Sequence, residues 1–148
     1  MRKTILMLLL LSLPLLLHAM NPAQLIREFR KEKESTYMGL GRFKLGFIKL
    51  FAGDSLVGVK SVKILSLEEC SDAIKQEFNS YENTISQKKY DVIIKSCDGD
   101  DLEYVLLKTK NNSIKEIVLL SFGSSPNLIL VRGNLTKNHI NHFINGED

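Results

Sequence analysis

Tryptophan is absent from this chain, and cysteine and proline are scarce, with two and three residues among 148. Two cysteines are too few for a disulfide-dense miniprotein, and nine glycines with three prolines exclude a collagen-like repeat. A hydrophobic share of 44% excludes an intrinsically disordered chain. The length suits one domain and is short of two full-sized ones. Charge of a single sign is missing too. Of 20 basic side chains, Arg2 and Lys3 belong to an N-terminal leader, which leaves 18 against 17 acidic ones. A near-neutral domain lacks the electrostatic footprint of nucleic-acid binding.

Only one long apolar run exists, and it lies at the start. Arg2 and Lys3 precede Ile5–Leu17, and Leu17-His18-Ala19 offers a cleavage site. The run holds about 13 residues, fewer than the ~20 that cross a bilayer as a helix. Pro14 also interrupts it. Residues 1–19 are therefore expected to be a signal peptide and residues 20–148 a single exported domain, periplasmic or secreted. No cysteine follows the leader closely, so lipoprotein attachment is not expected.

Export permits a disulfide without requiring one. Cys70 falls in register with Ile74, Phe78, Tyr81 and Ile85, the stripe of an amphipathic helix, whereas Cys97 ends a strand. A Cys70–Cys97 bridge and two free thiols both remain open. No C-x-x-C pair suggests redox chemistry.

Asn21-Pro22 reads as an N-cap followed by proline at the first helical position, opening a charged helix that runs toward Glu34. Residues 35–38 read as a break or a short edge strand. From Gly39 to Phe51, a helical projection gathers Leu40, Phe43, Phe47, Ile48, Leu50 and Phe51 on one face. No acidic residue occurs between Glu34 and Asp54. Two roles fit this segment. It is a core helix packing three phenylalanines, or a membrane-surface helix using Arg42, Lys44 and Lys49 with Phe43, Phe47 and Phe51.

Val59–Leu67 alternates as a strand, and Ser66 with Glu69 has capping-box spacing before the Cys70–Ile85 stripe. After Lys89 the period changes to two. Tyr90–Cys97, Leu102–Lys110, Ser113–Phe122 and Asn127–Arg132 read as strands joined by turns too short for anything but antiparallel neighbours. A final helix is expected from Thr136. The fold class is thus α+β: an antiparallel sheet of about five strands, including a C-terminal four-stranded meander, with helices packed on one face.

Catalytic patterns are missing: no G-x-S-x-G elbow, no phosphate-cradling glycine loop and no H-E-x-x-H helix. Ser124 and Ser125 read as turn residues. His139 and His142 sit at i, i+3, but zinc needs a further ligand. Asp98, Asp100, Asp101 and Glu103 fit a turn better than a calcium loop. Neither a cofactor nor a metal is expected.

The order of segments resembles that of the domain-of-unknown-function family 4252. The likeness rests on Thr36-Tyr37-Met38 before the amphipathic stretch, on Val62-Lys63-Ile64-Leu65-Ser66 before the capped helix, and on Leu128-Ile129-Leu130-Val131-Arg132-Gly133-Asn134-Leu135 near the end. The resemblance implies a small exported protein of Bacteroidetes-type bacteria and supplies no activity, cofactor or site residue. The leading expectation is a non-enzymatic envelope domain that binds another protein or peptide, with sheet edges and residues 36–51 as the surfaces to inspect. Membrane-surface association and an enzyme with an unrecognised site are the alternatives.

Overall fold

A computed structural model describes residues 20–41, 58–85 and 89–137. Helix α1 (Pro22–Phe29) opens as its sequence dictates. Asn21 Oδ1 accepts from the Gln24 amide and Gln24 Oε1 accepts from the Asn21 amide, both at 2.9 Å, so two otherwise unpaired amides are satisfied reciprocally. The helix stops at Phe29, earlier than its charged sequence suggests. Turns carry the chain to Glu34, which adopts a left-handed φ of 70°.

Six strands form one antiparallel sheet: β1 (Thr36–Leu40), β2 (Val59–Ser66), β3 (Asp91–Asp98), β4 (Asp101–Lys110), β5 (Ser113–Phe122) and β6 (Asn127–Leu135). Their order is β1-β2-β6-β5-β4-β3. The expected meander is the consecutive run β3 to β6. The strand beyond the expected five is β1, which pairs Thr36–Leu40 with Ser66–Val62 of β2. Gly39 and Leu40 thus belong to a strand, which corrects a helix beginning at Gly39. The rest of that segment lies outside the described residues, as does the chain beyond Lys137, where the terminal helix was expected.

Local chemistry makes the turns. Asn111 and Asn112 both take positive φ, 53° and 59°, as a two-residue hairpin requires. Gly99 does the same between paired Asp98 and Asp101. Gly133 answers a different need. A Cβ there would sit 2.0 Å from the Gly58 carbonyl oxygen, so β2 and β6 approach closely only because it has no side chain.

The Cys70–Ile85 stripe occupies two helices, α2 (Asp72–Asn79) and α3 (Glu82–Ile85), with Cys70 just before them. Ser66 ends β2, and Ser71 is the α2 N-cap, without a side-chain cap bond. The break at Ser80–Tyr81 preserves the stripe. Tyr81 donates to Phe78 O and Thr84 to Tyr81 O, tight turns that rotate α3 back toward the sheet.

All three helices cover one face, where Leu25, Ile26, Phe29, Phe78 and Ile85 pack on Leu65, Leu106, Val118, Leu120, Phe122, Leu128 and Leu130. Phe29 meets Phe78 edge-on at 5.1 Å. The opposite face is apolar as well, through Val62, Val105, Leu107, Ile117, Val131 and Leu135. Among the described residues no helix lies over it.

Candidate functional site

Three places on this scaffold collect chemistry. The first is a cleft of about 390 Å³ between α1 and β2. Arg27 lies in the last turn of α1 and Arg30 is its C-cap, three residues on, and Lys63 rises from β2 on the helix-covered face; all three line the opening. Asn21 and Gln24 line it too, with their side-chain oxygens already engaged in the capping box. No acidic residue lies in the first turn of α1. Among the described residues the ion pair is Arg132–Glu116, so none of the three cleft cations has a carboxylate within 4.0 Å. Arg30 is held by an aromatic neighbour, its guanidinium carbon 5.4 Å from the centre of the Tyr37 ring.

The second place is the outer strand β3. Its residues are exposed except for half-buried Ile94. A bulge falls between Val92 and Ile94, and Val92 and Ile93 are 44% and 45% exposed. The other edge, β1, shows Tyr37 at 36% and Met38 at 51% but is only five residues long.

The third is a polar row set into the helix-covered face. Glu116 is buried at 7% exposure; it takes a 2.7 Å bond from Arg132 Nε and accepts the Tyr90 hydroxyl proton in a short hydrogen bond. Glu116 and Arg132 are direct cross-strand partners of β5 and β6. Burial first, then the hydrogen bond and charge of Glu116, raise the Tyr90 phenol well above its ordinary range. The row's polar atoms satisfy one another, which fits a structural role.

The two cysteines are apart and free. Cys70 is buried, with its thiol toward Lys33 O at 3.6 Å, whereas Cys97 is exposed and faces Gly99 O at 3.5 Å. Burial, followed by the charges of Glu32 and Glu34, pushes the Cys70 thiol up, the direction of an inert thiol. Asp101 serves the turns: its carboxylate accepts from the Ser124 amide and hydroxyl at 2.9 and 3.2 Å. Arg42, Phe43, Lys44, Phe47, Lys49 and Phe51 lie outside the described residues, as do His139 and His142. No cluster of three or more metal-ligating side chains occurs among the described residues.

The sequence reading missed both the basic cleft and the Glu116 row. Lys63 is far along the chain from Arg27 and Arg30, and no local pattern links them. Glu116 did leave a signal: it is the one charge in the inward register of Val118 and Leu120.

Sheet order and helix cover define a single-sheet α+β domain. Within that class the chain belongs to the family described as Domain of unknown function (DUF4252), whose model matches residues 29–143. No curated protein and no solved structure matches it.

Proposed function

We propose that this chain is exported and acts in the cell envelope as a non-enzymatic binding domain, pairing an extended segment of another envelope protein with the free edge of β3. Support for export comes from the leader pattern of residues 1–19, cut after Ala19 to release residues 20–148 without a lipid anchor. One observation carries the binding reading: an eight-residue outer strand that is almost wholly exposed, with two adjacent apolar side chains at its bulge. Outward backbone groups from Ile94 to Asp98 can hydrogen-bond an added strand, and Val92 and Ile93 give it apolar contact. The bulge and the flanking Asp91, Lys95 and Asp98 discourage indiscriminate edge pairing, which leaves selectivity to the partner's sequence.

Selection of random displayed peptides on the full chain tests this. Enriched peptides should slow amide exchange in β3 and lose binding to a Val92→Lys, Ile93→Lys variant that retains its fold. Failure to enrich any peptide, or enriched peptides indifferent to that variant, overturns the reading. Membrane association through Arg42, Lys44, Lys49, Phe43, Phe47 and Phe51 stands second, supported by the acid-free basic stretch in the sequence.

A further inference from the structure

We infer that the cleft between α1 and β2 is a binding site for a phosphomonoester group. Its polar lining offers donors. Arg27, Arg30 and Lys63 bring three positive charges, and the capping box uses the side-chain oxygens of Asn21 and Gln24, leaving their carboxamide nitrogens as donors. The first turn of α1 adds the Ala23 amide and the positive dipole end, with no acidic side chain to neutralise it. Among the described residues these cations have no carboxylate partner; like charges around a concavity repel one another, and a dianion placed among them removes that repulsion.

The number and kind of cations favour phosphate over carboxylate. A single carboxylate offsets one of the three charges, whereas a phosphomonoester carries close to two at neutral pH and presents three acceptor oxygens. The Tyr37 ring beneath Arg30 restricts that guanidinium, so less freedom is lost when it binds. At about 390 Å³ the cleft has the size of a small-molecule site, and Ala23 and Ile26 give the ligand's organic part an apolar wall. A soluble phosphate ester and the headgroup of phosphatidic acid share this chemistry.

Titration calorimetry of the full chain with glycerol 3-phosphate, and flotation with vesicles containing phosphatidic acid, test the assignment and separate the two sources. At least one arm should show binding that strengthens as pH rises through about 6, where the second phosphate proton leaves. Arg27→Ala, Arg30→Ala and Lys63→Ala should each weaken it about tenfold or more, with unfolding curves unchanged. Arg30→Lys keeps the charge and should lose less than Arg30→Ala. Binding by glycerol 3-phosphate identifies a free ester; binding confined to vesicles identifies a lipid headgroup. Absence of binding in both arms overturns the inference, and so does binding that the three alanine variants leave intact or that acetate displaces at equal concentration.

Discussion

Glu116 shows what a single charge costs and gains inside this fold. Its carboxylate is buried between Tyr90 and Arg132. Removing it leaves a half-buried phenol without its acceptor, while Arg132, whose side chain is 40% exposed, can turn to water. Glu116→Ala is therefore expected to lower stability by about 1–3 kcal/mol in urea unfolding, most of it from the Tyr90 side. Tyr90 carries the pH signature. Its phenol is raised in the fold above the ordinary value of 10.0, so above that value the unfolded chain releases its proton before the folded one does. Stability is thus complete below about pH 10 and declines as pH rises beyond it. Tyr90→Phe should flatten that alkaline decline, a difference that urea midpoints at pH 9 and pH 11 would reveal. At this scale the sequence offered only a hint. Glu116 and Arg132 are separated by 16 residues, and which charges meet depends on how β5 and β6 pair.

Among the elements, legibility followed the range of the forces that make each one. The hairpins of the meander were readable because Gly99 and the Asn111-Asn112 pair impose their turn over two residues. Helix α1 was readable at its start, where the capping box is a local exchange of hydrogen bonds. Replacing Asn21 by alanine should cost about 1 kcal/mol of stability, measured by chemical denaturation. Strand β1 was readable only in part: residues 35–38 suited a break or a short edge strand, while Gly39 and Leu40 read as the start of a helix. Thr36–Leu40 is short, and its last residue, Leu40, also suits a helical projection with the phenylalanines that follow. Only β2, which pairs it residue by residue, settles the choice. The Cys70–Ile85 stripe was read correctly as a face and incorrectly as one rod. Spacing records which side chains point inward and is blind to a tight turn that keeps them aligned.

Across the whole molecule, the long connection through α2 and α3 carries the chain from β2 over the sheet to its far edge at β3, and the meander then returns to β2 through β6. This closes the helix-covered core around Phe78, which touches both Phe29 and Phe122. Hydrogen exchange should show the slowest amides in β5 and β6, which are paired on both sides, and the fastest strand amides in β3. Equal protection in β3 and β5 would contradict an open edge there. The sequence by itself determined the periods, the turn positions and therefore the meander, because each depends on residues within a few positions of one another. Tertiary structure decided that β2 lies beside β6, that β1 extends the sheet, and that Lys63 faces Arg27 and Arg30 across the cleft. Those outcomes come from distant segments competing to bury the same apolar surface, a balance that no short stretch of chain contains.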